Sequence, residues 1–228
     1  MRAHFSVLPV LVAFLPVAAL AQNVVLNPGF ESGNAPWVFS SYGGAGGQPW
    51  SIGSSFFGLG PHSGSRFAST GCNLASCVGP DSGVGAWLYQ DLATVSGATY
   101  ALTFYFTPGL GSSGAEFQVL WGPSATPLTI GPSGTCGGNC VYRSTSIGTR
   151  VYSLVTVPNL TATSTSMRLE FIGEQQPDVN GVDDVCVGTG STCLPSASVP
   201  VLSAGMMGAL AAGLLATAFF LFRRFRAA

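Results

Sequence analysis

Tyr100-Ala-Leu-Thr-Phe-Tyr-Phe106 carries the clearest period-two pattern in the chain. In an extended chain Tyr100, Leu102, Phe104 and Phe106 share one face, and Ala101, Thr103 and Tyr105 share the other, because successive side chains of a strand alternate. Both faces are apolar enough for a strand buried on each side, as at the centre of a sandwich. Outward from it, Glu116–Trp121 alternates Phe117, Val119 and Trp121 against Glu116 and Gln118. Ala86–Leu92 sets Trp87, Tyr89 and Asp91 against Leu88, Gln90 and Leu92. Met167, Leu169 and Phe171 alternate with Arg168 and Glu170. By these patterns the two glutamates, Glu116 and Glu170, are expected on the solvent face. Val24–Leu26, Arg66–Ala68, Val151–Val157 (ended by Pro158) and Val182–Val187 supply shorter strands. With Gly, Pro, Ser and Thr abundant between them, about nine or ten strands are expected, in an all-β, antiparallel jelly-roll β-sandwich.

The two ends of the chain belong to something else. Met1-Arg2-Ala3-His4 is a basic start, Val7–Leu20 is apolar, and Ala19-Leu20-Ala21 fits an A-x-A cleavage site, so 1–21 is expected to be a signal peptide. Val201–Phe222 holds no charged residue and is followed by Arg223, Arg224 and Arg226. A helix of that length rises ~33 Å, enough for a hydrocarbon core of about 30 Å, and the arginines favour the cytoplasmic side. The expected organisation is signal peptide 1–21, sandwich 22–190, linker and sorting motif 191–200, transmembrane helix 201–222 and basic cytoplasmic tail 223–228. The sandwich is then exported, to the cell envelope, the surface or the extracellular matrix.

The tail carries a resemblance. Val199-Pro200-Val201-Leu202-Ser203, an apolar span and Arg223-Arg224 resemble the bacterial IPTL-CTERM sorting signal, a relative of the PEP-CTERM tails. The resemblance implies a partner in the cytoplasmic membrane, a sorting protease or transpeptidase of exosortase type. The chain departs from that pattern at Val199, Val201 and Ala204-Gly205; a plain C-terminal anchor is the alternative.

Charge and cysteines narrow the function. The chain has no lysine, and Arg66, Arg143, Arg150 and Arg168 face nine carboxylates in the exported part, a net charge of −5. That excludes a nucleic-acid footprint, which needs basic residues to displace counterions, and it excludes lysine Schiff-base chemistry. Six cysteines fall into close pairs, Cys72/Cys77, Cys136/Cys140 and Cys186/Cys193. In an oxidising compartment these read as disulfide staples on short loops, each worth ~2 kcal/mol. A zinc site using Cys136 and Cys140 is the rival, though no histidine is near. His62 lies in a turn, and no G-x-S-x-G, H-E-x-x-H or P-loop occurs. A two-carboxylate glycosidase would have to draw on Asp91, Glu116, Glu170 or Glu174.

Across the exported part a second resemblance appears. Asn27-Pro28-Gly29-Phe30-Glu31, His62-Ser63-Gly64, Leu88-Tyr89-Gln90-Asp91-Leu92, Gly97-Ala98-Thr99-Tyr100 and Gly181-Val182-Asp183-Asp184-Val185 are similar, in that order, to jelly-roll carbohydrate-binding modules of galactose-binding-like fold. The resemblance implies that the first and last strands pair, and that a structural Ca2+ is held by Glu31, Asp183 and Asp184. Oxygen ligands from carboxylates and turn carbonyls suit that ion. By alternation Asp183 shares a face with Val185 and Val187, where a free carboxylate is costly; the alternative is that it caps a turn while Glu31 and Asp184 are solvated. Sugar rings stack on aromatic faces, so Trp37, Tyr42, Trp50, Phe57, Trp87 and Tyr89 are candidates, with Trp87 and Tyr89 favoured beside Asp91. The expected function is a non-catalytic domain binding extracellular glycan or matrix polysaccharide. A self-associating structural surface protein and a carbohydrate-active hydrolase or lyase are the alternatives.

Overall fold

A computed structural model describes residues 22–41, 50–71, 86–110, 116–130, 135–145, 148, 150–174, 178–190 and 192–193. The expected signal peptide, sorting motif, membrane helix and basic tail lie outside these, as do Tyr42, Cys72 and Cys77.

Ten strands appear among the described residues: β1 (Val38–Ser41), β2 (Ser51–Gly53), β3 (Phe67–Gly71), β4 (Ala86–Ala93), β5 (Thr99–Thr107), β6 (Glu116–Pro123), β7 (Cys140–Ser144), β8 (Ser153–Thr161), β9 (Ser166–Glu174) and β10 (Val179–Gly188). They form two five-stranded antiparallel sheets, ordered β1-β4-β9-β6-β7 and β2-β3-β10-β5-β8. No helix occurs among the described residues. The chain is an all-β jelly-roll sandwich.

β5 lies inside its sheet, between β10 and β8, as its two apolar faces require. Its residues Tyr100, Leu102, Phe104 and Phe106 are buried in the main core. Rings from the opposite sheet meet them. Phe104 stands edge-on to Phe171 at 5.4 Å, and Phe106 stacks on Phe117 at 4.3 Å, the tilted and offset geometries that ring quadrupoles favour. Val119, Leu169 and Leu88 complete the layer.

Three local expectations change. Val24–Leu26 forms no ladder; it touches β10 through one backbone bond, Val24 N–H to the Val187 carbonyl at 2.8 Å. The Asn23 side chain does the rest, donating to the Val185 carbonyl at 3.1 Å and accepting from Val187 N–H at 2.9 Å. The domain's ends meet, but through a side-chain clamp. β8 runs on through Pro158 to Thr161, because it is an edge strand and needs donors on one side only. A positive φ at Asn159 accompanies the register shift there. In β10, Val182 pairs with Phe106 and Asp183 with Tyr105, and a bulge follows in which Asp184 has φ 51°. The extra residue resets the alternation, so Val185 and Val187 return to the core while Asp183 faces the other way, with Tyr105.

Disulfides join Cys136 to Cys140 and Cys186 to Cys193. The second ties the end of the domain back to β10.

Phe171 contacts Trp37, Trp50, Phe104 and Phe117 and is fully buried. Phe171→Ala is expected to lower the unfolding free energy by about 3–5 kcal/mol in urea denaturation, and a loss below about 1 kcal/mol would show that the rings are not the shared core.

Candidate functional site

Inward packing of Leu88 and Leu92 on β4, Leu169 and Phe171 on β9, and Phe117 and Val119 on β6 turns the alternate residues outward. Register then lays them in rows across the sheet. Trp87, Ile172 and Gln118 form one row; Tyr89, Glu170 and Leu120 the next; Asp91, Arg168 and Gly122 the third. The segment after β6 folds back over these rows. It turns through Thr126 N–H to the Pro123 carbonyl, and the Asn139 side chain holds it by accepting from Thr129 N–H at 3.0 Å. A Cβ at position 122 would stand 2.6 Å from the ends of both the Leu128 and Asn139 side chains, which pack over this glycine. The result is a cleft of about 260 Å³ lined by Trp87, Tyr89, Arg168, Glu170 and Ile172 below and Pro127, Leu128 and Ile130 above.

The charges in the cleft are not equivalent. Arg168 grips Asp91 with two parallel bonds, Nε to Oδ1 at 2.7 Å and Nη2 to Oδ2 at 3.0 Å. Its guanidinium also lies 4.0 Å from the centre of the Tyr89 ring, so one face of that ring is already covered. Glu170 is 6% exposed, and its carboxyl has no hydrogen-bond or ion-pair partner among the described residues. Burial pushes this carboxyl up to about 7; Asp91 adds to the rise and the Arg168 charge opposes it.

The solvent-face expectation for the two glutamates is therefore corrected. Glu170 lies beneath the folded-back segment. Glu116, 7% exposed, accepts from Arg143 Nε at 2.6 Å and Gln118 Nε2 at 2.7 Å. Alternation identified their face, but not that a later segment and the β7 arginine would cover it.

Of the other expected platforms, Trp37 and Trp50 are 4% and 3% exposed. Their rings pack on Phe171, and Trp37 also on Phe30, which leaves neither a face for a ligand. Phe57 is 57% exposed on a tight turn between Phe56 and Leu59, away from the cleft.

Glu31, Asp183 and Asp184 do converge, around Gly29. Glu31 accepts from Ser65 N–H at 2.8 Å, Arg66 N–H at 2.9 Å and Ser65 Oγ at 2.6 Å, and these bonds hold its carboxyl below the usual range. Asp183 accepts from the backbone of His62, Ser63 and Asp184 at 2.9, 3.1 and 2.8 Å. Burial nonetheless pushes it up to about 6. Asp184 meets His62 Nδ1 and Ser63 Oγ, each at 2.7 Å, and the His62 ring stacks on Tyr105 at 3.4 Å. Every carboxylate oxygen is thus already engaged by a donor of the 62–66 turn or of Asp184. No group of three His, Cys, Asp or Glu able to hold a metal occurs among the described residues. As they stand, these carboxylates hold the 62–66 turn.

No family model and no curated protein matches the chain, whereas 102 solved chains match in structure. A protein from Bacteroides thetaiotaomicron described as sugar-binding is 12% identical with a TM-score of 0.51, over 74% of this chain and 100% of that one. The K3 cleaved adhesin domain of Lys-gingipain from Porphyromonas gingivalis W83 is 19% identical with a TM-score of 0.50, over 75% and 99%. TmCBM61, solved with β-1,4-galactotriose, is 16% identical with a TM-score of 0.49, over 74% and 99%. The fold is one shared with sugar-binding and adhesin domains. At these identities the likeness speaks for the sandwich and not for a ligand.

Because Glu170 binds its proton more tightly when folded than unfolded, its contribution to stability is full below about pH 4.5 and is lost as pH rises through about 7. Glu170→Gln removes that loss. The variant is expected to melt several degrees above the parent at pH 8 and within a degree or two of it at pH 5, and equal melting at both pH values would mean that the carboxyl is not buried as described.

Proposed function

We propose that this chain is an exported, envelope-attached, non-catalytic domain that binds a glycan or matrix polysaccharide in the cleft over β4, β9 and β6. One observation carries the reading: the floor of the cleft sets an indole beside an oriented guanidinium and a buried carboxyl, beneath an aliphatic wall. A sugar presents the matching surface, with apolar C–H faces and hydroxyls at its rim, and pockets of this kind bind through apolar walls and a few placed polar groups. Trp87 and Leu128 would take the C–H face, and Arg168, oriented by Asp91, and Glu170 would take hydroxyls. The sandwich fold, shared with a protein described as sugar-binding, is compatible with the reading.

Hydrolysis would need two carboxyl groups free to act on one bond. Asp91 is locked to Arg168 and Glu116 to Arg143, so neither is free to act beside Glu170, which favours binding over cleavage.

The basic start, A-x-A site, apolar tail and arginine end support export and attachment, with an exosortase-like enzyme acting on the Val199-Pro200-Val201-Leu202-Ser203 motif. Intact mass of the protein from its host is expected to place the C-terminus near Val199 to Leu202. A mass ending at Ala228 would make the tail a permanent anchor.

Affinity electrophoresis through gels containing soluble polysaccharides tests the cleft. Trp87→Ala is expected to abolish retardation, a loss of about tenfold or more in affinity (about 1.4 kcal/mol), with little change in melting temperature. Retardation that survives in the variant would move the site elsewhere.

A further inference from the structure

The glycan reading leaves the chemistry of the sugar open, and the cleft's charges narrow it. Arg168 is the one cation lining the cleft among the described residues, and Asp91 occupies its Nε and Nη2 edge. That pair cancels. Glu170 remains, 94% removed from solvent by its 6% exposure, with no partner of its own among the described residues. Around it stand Tyr89 across the ladder on β4, Leu120 across the ladder on β6, and the uncharged Pro127, Leu128 and Ile130 of the covering segment. Asp91 and Arg168 lie one row away. Arg168 offsets part of the cost, but its guanidinium is paired to Asp91, and no described group makes an ion pair with Glu170 itself.

We infer that the cleft takes a sugar bearing a free amine, whose ammonium pairs with the Glu170 carboxylate while its ring lies between Trp87 and the Leu128 wall. This rests on the glycan-binding reading and specifies its ligand. A uronate, sulfate or phosphate would set like charge against Glu170. A neutral or N-acetylated sugar would cover the carboxyl without compensating it. An ammonium makes a charge-assisted hydrogen bond in a site that excludes water, where such bonds are strongest. The cleft volume of about 260 Å³ lies just under the usual range of about 300–1,000 Å³ for small-molecule sites, which suits one ring and its substituent. The raised proton affinity of Glu170 adds a signature. Below about pH 7 the carboxyl is neutral and the pairing is lost, although the amine stays charged.

The test uses the full-length protein in detergent and isothermal titration with glucosamine and galactosamine oligomers, each beside its N-acetylated counterpart and a neutral hexose oligomer of the same linkage. Expected is binding of a free-amine oligomer at pH 7 at least about tenfold tighter than its acetylated counterpart. That preference should disappear at pH 5 and in Glu170→Gln. Ethylamine alone should not compete, which separates the site from attraction to an acidic surface. Acetylated or neutral oligomers that bind as well as the amines, or an amine preference that survives Glu170→Gln, overturn the amine assignment and leave the glycan reading standing. Absence of binding by every probe overturns both. Should Glu170→Gln fail to fold by circular dichroism, Glu170→Ala and the pH 5 titration of the parent separate the same outcomes.

Discussion

Contact between two layers of aromatic rings sets everything else in this molecule. Phe104 and Phe106 of one sheet meet Phe117 and Phe171 of the other, and Trp37 and Trp50 close over Phe171. Fixing which residues point inward fixes, by alternation, which ones point outward and in what rows. Trp87, Tyr89, Arg168 and Glu170 share a cleft because Leu88, Leu92, Leu169 and Phe171 share a core. A one-residue slip in β9 would bury Arg168 and expose Phe171, so the core enforces the register on which the site depends.

Two irregularities accomplish what regular strands cannot. The bulge at Asp184 returns Val185 and Val187 to the core and leaves Asp183 on the outer face. There it gathers the backbone amides of His62 and Ser63, while Glu31 does the same for Ser65 and Arg66. Peptide N–H groups thus engage carboxylates that lie far apart in the sequence. At the other irregularity, the segment that roofs the cleft packs over Gly122, converting an open sheet face into a site with a buried acid.

That burial gives the cleft its electrical character. Asp91 and Arg168 neutralise one another, whereas Glu170, two residues along the same strand from Arg168, has no such partner among the described residues. The contrast arises from register: each strand contributes an ordinary alternating pattern, and only the pairing of β4 with β9 sets Asp91 opposite Arg168 and Tyr89 opposite Glu170.

The alternating runs at 86–92, 100–106, 116–121 and 167–171 determined the all-β class, the central place of β5 and the shared face of Trp87, Tyr89 and Asp91. Periodicity is a local property, and these segments are long enough to show it. Close cysteine spacing likewise identified the Cys136–Cys140 and Cys186–Cys193 staples. The strands β1, β2 and β7 were not legible, being short and set among glycines and turns whose pairing depends on distant partners. Nor could alternation tell that Trp37 and Trp50 belong to the core, or that Glu116 and Glu170 are covered. Whether an outward-facing residue meets water depends on what else folds across it. That depends on tertiary structure, because Glu170 is covered by residues of 123–130 and Glu116 by Arg143, 27 residues away.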